Sequence, residues 1–182
     1  MRIIAGAARG RQLKGGRERG LRPTSDLVRG AMFDMLQSMD VDFSRVLDLY
    51  AGTGALGIEA LSRGGGWCDF VEKDFRFCRL IHQNLETAGF SDRAAVFCLP
   101  AERALTKLSG EYSLILADPP YQDEKAGAVL QRLAASSLIG SEAVILLEHS
   151  KRNTPPDLGA PPLVASRRHG DTVISIYRSG GS

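Results

Sequence analysis

A glycine-rich turn between an apolar run and a helical segment constrains the fold of this 182-residue chain more than any other feature. The run Val46–Tyr50 predicts a strand, and Ala55–Arg63 predicts a helix that begins directly after the turn. Gly52, Gly54 and Gly57 match the pattern G-x-G-x-x-G, in which glycines permit a tight turn and a close approach of the backbone to a ligand. The segment therefore predicts the start of a βαβ unit with a ligand-binding loop.

Short β-rich runs alternate with helical segments along the rest of the chain. Further strands are predicted at Cys68–Glu72, Ala94–Cys98, Ser113–Ala117 and Ala143–Glu148, and helices at residues 26–39, 75–88, 101–107 and 124–138. This alternation is typical of a parallel sheet with helices on both faces. After a proline-rich connection, two runs with no helix between them, residues 163–168 and 172–177, predict a closing antiparallel hairpin.

The formal net charge of +2 is divided unevenly along the chain. Residues 1–30 hold eight basic and two acidic residues, a net charge of +6, which leaves −4 on the remainder. We expect residues 1–22 to form a basic arm, compatible with a short β-hairpin, in front of a single α/β domain over residues 23–182. A basic arm on a mildly acidic body is a first indication of an anionic partner.

The composition excludes several other classes of protein. No apolar run approaches the roughly 20 residues that span a bilayer, and arginines rather than an apolar segment follow the first six residues. Cys68, Cys78 and Cys98 match neither a zinc pattern nor a disulfide framework, so we expect reduced packing residues in a cytoplasmic protein. The three histidines have no partner at ligand spacing, and no metal site is expected.

Two carboxylates are placed to bind a nucleoside at the carboxyl edge of the predicted sheet. Glu72 ends the strand after the glycine loop, where it is suited to accept hydrogen bonds from two ribose hydroxyls. Asp48 lies at the end of the preceding strand, where its charge would repel a pyrophosphate but suit a cationic amino-acid group. The loop leaves a dinucleotide and S-adenosylmethionine as candidate ligands, and this electrostatic argument favours the second.

A second motif, Asp118-Pro119-Pro120-Tyr121, follows the apolar strand Ser113–Ala117 and stands at the same edge. Consecutive prolines stiffen the backbone, so Asp118 and a neighbouring carbonyl are positioned to accept both hydrogens of an exocyclic amine. Tyr121 is placed to stack on the base that carries this amine. The motif predicts chemistry at the amino group of a nucleobase.

These motifs resemble those of class I, Rossmann-like S-adenosylmethionine-dependent methyltransferases, and more narrowly the bacterial 16S rRNA (guanine-N2)-methyltransferase family called RsmD. The resemblance covers nearly the whole chain and rests on residues 2–6, 9–11, 21–29, 50–64 and 118–121. It implies an α/β fold with a mostly parallel seven-stranded sheet, a C-terminal antiparallel hairpin and a small basic N-terminal arm. It also implies S-adenosylmethionine as cofactor, 16S rRNA or the small ribosomal subunit as partner, and a cytoplasmic monomer.

The same resemblance assigns roles to individual residues. The cofactor would lie against Asp48, Tyr50, Gly52, Gly54, Glu72, Lys73, Ala101 and Glu102. The target amine would be held by Asp118, Pro119, Pro120 and Tyr121. Phosphates of the RNA would contact Arg2, Arg9, Arg11, Arg17, Arg19, Arg22 and Arg29. No metal is needed, because the sulfonium charge already activates the methyl group.

Three other functions stay open on the sequence alone. Adenine-N6 methyltransferases acting on DNA or RNA share the Asp-Pro-Pro-Tyr motif and differ in the base that they methylate. An NAD-dependent oxidoreductase would use the glycine loop but leaves the second motif without an amine to bind. A catalytically silent RNA-binding module is disfavoured because both motifs are intact.

Overall fold

The structure, a computed structural model, describes residues 1–15 and 25–180. Its helices are α1 (Asp26–Ser38), α2 (Ala55–Ser62), α3 (Phe75–Ala88), α4 (Ala101–Ala104) and α5 (Ala126–Ala134). Its strands are β1 (Arg45–Leu49), β2 (Trp67–Glu72), β3 (Ala94–Cys98), β4 (Tyr112–Ala117), β5 (Ile139–Ser150), β6 (Leu163–His169) and β7 (Thr172–Arg178). No helix within these described residues is long and apolar enough to cross a membrane.

All seven strands form one sheet in the order β3-β2-β1-β4-β5-β7-β6. Strands β1 to β5 pair in parallel, whereas β7 is antiparallel to both β5 and β6. The predicted mostly parallel sheet with a closing antiparallel hairpin is therefore confirmed. The strand order reverses between β1 and β4, which is where open α/β sheets form a ligand crevice.

The two central strands are buried on both faces, as their continuous apolar sequence requires. Val46 of β1 packs in one core with α1, α2 and α3, while its neighbour Leu47 packs in a second core with α4 and α5. Successive side chains of a strand point to opposite faces of the sheet, which explains this division. Helices thus cover both faces and leave the ends of the strands open.

The region between α5 and β5 differs from the sequence prediction. The predicted helix reaches residue 138, but α5 ends at Ala134 and β5 already begins at Ile139. Ser136 donates its N–H and its hydroxyl to the carbonyl of Leu133, an arrangement that closes the helix. Tertiary pairing of β5 with β4, which starts with Tyr112 opposite Ile139, then overrides the helical preference of the sequence.

Residues 1–15 pack against the α/β body and share its core. Ile3 and Leu13 are buried in the same cluster as α1 and α2. The carboxylate of Glu59 accepts hydrogen bonds from the N–H groups of Ile4 and Ala5 at 2.8 and 3.0 Å. The predicted hairpin is reduced to a single antiparallel bridge between residues 2 and 12, and the predicted boundary at residue 22 lies outside the described part of the chain.

Arg29 lies in the interior, whereas the sequence predicts that it contacts RNA. Its side chain is 1% exposed, and its Nη2 atom donates to the carbonyl of Arg2 and, at 3.0 Å, to the carboxylate of Asp26. Its Nε atom lies 3.9 Å from the carboxylate of Glu59. The predicted RNA contact is therefore wrong at this position, because Arg29 is used to fasten the first residues of the chain to α1.

The prediction of three reduced cysteines is also wrong for one pair. Cys78 and Cys98 form a disulfide, with their Cα atoms 5.9 Å apart. Cys78 lies in the first turn of α3 and Cys98 ends β3, so the chain reversal between these elements brings together residues 20 positions apart. Cys68 is free and buried, as expected.

Replacement of Glu59 by alanine should loosen residues 1–15, the N-terminal segment, and destabilise the whole fold. The Glu59 side chain also pairs with Arg63 at 2.9 Å, and the three side chains of the Arg29–Glu59–Arg63 cluster are at most 5% exposed. Removing one partner from a buried ion pair leaves an uncompensated charge, so the free energy of unfolding should fall by about 3–5 kcal/mol. Urea denaturation measures this loss.

Hydrogen exchange provides the local readout and Ser62→Ala the matched control. Ser62 accepts from the Ala8 N–H at 3.0 Å and donates to the Ala5 carbonyl at 2.6 Å, two neutral hydrogen bonds whose combined loss should cost about 1–3 kcal/mol. Glu59→Ala should speed exchange at the Ile4 and Ala5 amides much more than Ser62→Ala does. Equal protection of these two amides in both variants would contradict the anchoring role of Glu59.

Candidate active site

Three strand ends bring the predicted site residues to one edge of the sheet. Leu49 of β1 lies opposite Val71 of β2 on one side and opposite Ala117 of β4 on the other. The chain segments that follow these residues therefore leave the sheet side by side. They carry the glycine loop, Glu72 and Asp118, respectively, and so the two motifs of the sequence face a common crevice.

The glycine loop is held from the side by Glu72. The N–H of Gly52 donates to one carboxylate oxygen of Glu72 at 2.8 Å, and the N–H of Asp74 donates to the other at 2.9 Å. Glu72 is half-buried, and each of its oxygens retains a further acceptor position. The same side chain can thus shape the loop and accept hydrogen bonds from the hydroxyls of a ribose.

The second and third glycines of the loop serve different purposes. Gly54 precedes α2 with a φ of +79°, a left-handed conformation that favours glycine. At Gly57, a Cβ atom would lie 2.4 Å from the Phe70 ring and 2.7 Å from the Cys68 sulfur. Gly57 therefore permits close packing of α2 on β2.

Asp48 lies beneath the loop, where it is 1% exposed. Its carboxylate accepts the Gly57 N–H at 2.8 Å and so supports the first turn of α2. Burial raises the pKa of Asp48 to about 8, since the charged form is poorly solvated and Glu72 adds a repulsive charge. The argument that favoured S-adenosylmethionine over a dinucleotide assumed that Asp48 is ionised and exposed. Because Asp48 is buried and its pKa is raised, that argument does not hold.

Tyr50 is the residue of the site that most clearly lacks a partner. Its φ of +67° lies in the left-handed region, which is unusual for a residue with a side chain. Its hydroxyl is buried and makes no hydrogen bond to the described residues. Burial, together with the negative charges of Asp123 and Glu102, raises the pKa of Tyr50 above its ordinary value. An unsatisfied phenol O–H beside the loop fits a site that is completed by a polar ligand.

The remaining predicted cofactor contacts follow the neighbouring strand ends. Lys73 is exposed directly after Glu72, and α4 begins with Ala101 and Glu102 shortly after β3. Ala101 is buried and Glu102 is half-buried. The structure thus brings all eight predicted cofactor residues to the same edge, although their individual contacts with a cofactor stay predictions.

Tyr121 of the Asp-Pro-Pro-Tyr motif is anchored by the C-terminal hairpin. Tyr121 is 36% exposed, and its hydroxyl lies 3.0 Å from the Thr172 Oγ1 atom at the start of β7. Thr172 in turn donates to the buried carboxylate of Glu148 at 3.5 Å. Thr172 and Glu148 were not identified from the sequence, because only the pairing of β7 with β5 brings them beside the motif.

A cavity of about 140 Å³ opens beside the same motif. Its walls include Pro119, Pro120, Tyr121, Leu130, His149 and Pro156. Pro119 is buried and Asp118 is half-buried. Pro119, Pro120 and Tyr121 thus line this cavity, and they follow the strand that lies beside the one leading into the glycine loop.

Only three of the six remaining arginines that are predicted to contact RNA lie in the described part of the chain. Arg2, Arg9 and Arg11 are exposed, and Arg2 pairs with Asp26 at 3.6 Å. Arg17, Arg19 and Arg22 lie outside the described residues. Contacts of these six arginines with RNA stay predictions. No group of three histidine, cysteine or acidic residues in the described ranges could hold a metal ion.

Comparison with known proteins identifies relatives over the whole length of the chain. A family model described as "Conserved hypothetical protein 95" matches residues 1–178. YlbH of Bacillus subtilis (strain 168), whose name describes it provisionally as an rRNA methyltransferase, is 36% identical over 185 aligned positions that cover 100% of both chains.

A sequence match and a structural match from Escherichia coli extend this comparison. "Ribosomal RNA small subunit methyltransferase D" of strain K12 is 33% identical over 160 residues, covering 88% of this chain and 80% of that protein. The solved structure of YhhF, provisionally described as a methyltransferase, is 31% identical and superposes with a TM-score of 0.85. That superposition covers 98% of this chain and 97% of the other.

The raised pKa of Asp48 predicts a pH-dependent stability that an asparagine should remove. Between about pH 4 and pH 8, the folded protein keeps a proton on Asp48 that the unfolded chain releases. The free energy of unfolding should therefore fall as the pH rises through this window, by at most about 1.4 kcal/mol per pH unit for this proton. Asp48→Asn cannot titrate, and its amide oxygen can still accept the Gly57 N–H.

The measurement compares urea denaturation of the wild type and Asp48→Asn at pH 5 and pH 8.5, in the absence of ligand. Between pH 5 and pH 8.5, the free energy of unfolding of Asp48→Asn should increase relative to that of the wild type. A constant difference across this range would show that Asp48 titrates normally in the folded protein.

Proposed function

This chain belongs to the RsmD family of rRNA methyltransferases, and we propose that it transfers a methyl group from S-adenosylmethionine to the exocyclic N2 amine of a guanine in 16S rRNA. The observation that carries this proposal is the position of two motifs on adjacent strands. The glycine loop after β1 and Asp118-Pro119-Pro120-Tyr121 after β4 face the same crevice. One motif suits a nucleoside cofactor and the other suits an amino group.

The cofactor is held by residues of β1, β2 and the segment after β3. Glu72 would accept hydrogen bonds from the ribose hydroxyls with the acceptor positions that Gly52 and Asp74 leave open. The buried hydroxyl of Tyr50, which has no hydrogen-bond partner among the described residues, would pair with a polar group of the cofactor. Lys73, Ala101 and Glu102 border the nucleoside. Asp48 contributes from beneath by holding the first turn of α2.

The amine is held by the Asp-Pro-Pro-Tyr motif. S-adenosylmethionine supplies a methyl group that its sulfonium charge already activates, so the protein needs no nucleophile of its own. The N2 atom of guanine is a poor nucleophile because its lone pair is delocalised into the ring. Hydrogen bonds from N2 to the Asp118 carboxylate and the Pro119 carbonyl favour a pyramidal nitrogen. Orientation of this kind can lower a barrier by roughly 7–11 kcal/mol.

The target base reaches this site only when it is unstacked. A base inside an RNA helix cannot enter the crevice, so the guanine is flipped out or already unpaired. Tyr121 provides a stacking surface, and its hydrogen bond to Thr172 holds the outer end of the ring in place. The exposed arginines of residues 1–15 lie on the surface of the same body, where they can contact phosphates of the RNA.

Membership of a methyltransferase family excludes the NAD-dependent oxidoreductase. The adenine-N6 methyltransferase is distinguished by the identity of the base that becomes methylated. The decisive assay incubates the protein with labelled S-adenosylmethionine and small ribosomal subunits that lack its modification, followed by nucleoside analysis of the 16S rRNA. Label should appear in N2-methylguanosine. Label in N6-methyladenosine would overturn the proposed substrate, and no label would overturn methyl transfer to this RNA.

Asp118→Ala should separate cofactor binding from methyl transfer. We expect the variant to bind S-adenosylhomocysteine normally and to lose roughly 10²-fold or more in kcat, since a charged acceptor at the reacting amine is missing. Glu124→Gln, which neutralises an exposed carboxylate close in sequence, is the matched control and should retain full activity. Calorimetry and single-turnover kinetics measure the two properties. Full activity of Asp118→Ala would contradict the mechanism.

A further inference from the structure

A buried asparagine joins the N-terminal segment to the glycine loop. Asn84 of α3 is 0% exposed. Its Nδ2 atom donates to the carbonyl of Thr53 at 2.9 Å and to the carbonyl of Lys14 at 3.2 Å. Its Oδ1 atom accepts the N–H of Lys14 at 2.8 Å. One side chain therefore holds both backbone polar groups of Lys14 and, at the same time, the residue between the first two glycines of the loop.

These three hydrogen bonds depend on each other. A primary amide buried in an apolar core is unfavourable unless its donors and acceptor are bonded. If the segment around Lys14 moved away, Asn84 would lose two of its three bonds, and the bond to Thr53 would lose its geometric support. If the loop moved, one donor of Asn84 would be left unpaired. Asn84 is thus fully bonded only when both segments are in place.

Direct packing strengthens the link between the two segments. Gly15 lies so close to the loop that a Cβ atom there would be 2.9 Å from the Thr53 Cγ2 atom and 2.5 Å from Leu80. The Thr53 hydroxyl also lies 3.9 Å from the sulfur of Met1. The N-terminal segment therefore forms one wall of the glycine loop.

The charges of this segment face outward. Lys14 is exposed although its backbone is fastened, and Arg9 and Arg11 are exposed on the same segment. Arg11 donates to the carbonyl of Thr87 at 3.1 Å, which fixes the segment to the end of α3. A phosphate bound by Lys14 would hold in place the same backbone that Asn84 ties to Thr53.

The loop end of this connection reaches the cofactor site within one residue. Thr53 follows Gly52, whose N–H donates to Glu72, the predicted ribose ligand. A cofactor that orders Gly52 and Glu72 would also order the Thr53 carbonyl. The two ligands would therefore stabilise the same arrangement of Asn84 from opposite sides, and each would favour binding of the other.

We propose that Asn84 is a positioning residue that couples binding of rRNA at Lys14 to binding of the cofactor at the glycine loop. The inference rests on the proposed function, because it requires both ligands. By thermodynamic reciprocity, rRNA raises cofactor affinity by the same factor by which the cofactor raises rRNA affinity. The catalytic crevice is thus completed most readily when both substrates are present.

The test measures a coupling factor. S-adenosylhomocysteine, which cannot transfer a methyl group, is titrated into the protein alone and into the protein with saturating unmodified small ribosomal subunits. For the wild type we expect the Kd to fall by roughly 5-fold or more when subunits are present. For Asn84→Ala the ratio of the two Kd values should approach 1. The reciprocal titration of subunits, with and without S-adenosylhomocysteine, should give the same factors.

Ser62→Ala is the matched control. Ser62 also fastens the N-terminal segment, since its Oγ atom accepts the Ala8 N–H and donates to the Ala5 carbonyl at 2.6 Å, but it makes no hydrogen bond to the glycine loop. It should weaken subunit binding while the coupling factor stays at its wild-type value. Asn84→Ser, which keeps a small polar group but is too short to reach both Lys14 and Thr53, should lose coupling as Asn84→Ala does.

The possible outcomes separate the two proposals. If Asn84→Ala weakens both ligands but retains the wild-type coupling factor, Asn84 has only a structural role and the inference is overturned. If Asn84→Ala does not fold, Asn84→Ser decides the same question. A wild type that methylates the subunit with a coupling factor of 1 overturns the inference alone. A wild type that neither binds S-adenosylhomocysteine nor methylates the subunit overturns the proposed function as well.

Discussion

The pairing of β1 with β2 on one side and with β4 on the other is the constraint on which the rest of the structure depends. Leu49 stands level with both Val71 and Ala117, so three chain segments leave the sheet at the same height. A shift of one residue in either register would turn every side chain of the shifted strand to the opposite face and displace a motif by about 3 Å. The glycine loop, Glu72 and the Asp-Pro-Pro-Tyr motif meet because this register is correct.

Buried and half-buried carboxylates then hold the loops that the sheet brings together. Glu59 accepts two N–H groups of the N-terminal segment, Asp48 accepts one from α2, and Glu72 accepts two from the turns beside it. Each carboxylate satisfies backbone donors that the ends of strands and helices leave unpaired. Some of the acidic residues behind the net charge of −4 on residues 31–182 therefore support loops inside the fold. The net charge does not imply that the surface is uniformly acidic.

The N-terminal segment is part of the site as well as a basic extension. Its apolar residues fill the core beside α1, its backbone is fastened by Glu59, Ser62 and Asn84, and Lys14 and the arginines of residues 1–15 are exposed. A basic segment that forms one wall of the cofactor loop can combine RNA recognition with support of the reaction site.

The sequence by itself determined the order of strands and helices, the two motifs and their common edge, because these depend on local periodicity and on the rule that parallel strands end together. Tertiary structure alone decided the burial of Arg29, the Cys78–Cys98 disulfide, the hydrogen bond between Tyr121 and Thr172, and the hydrogen bonds of Asn84. Each of these depends on contacts between distant parts of the chain, as with the 70 positions between Lys14 and Asn84. Local pattern carries no information about such contacts, since burial and hydrogen-bond partners exist only once the sheet has placed its neighbours.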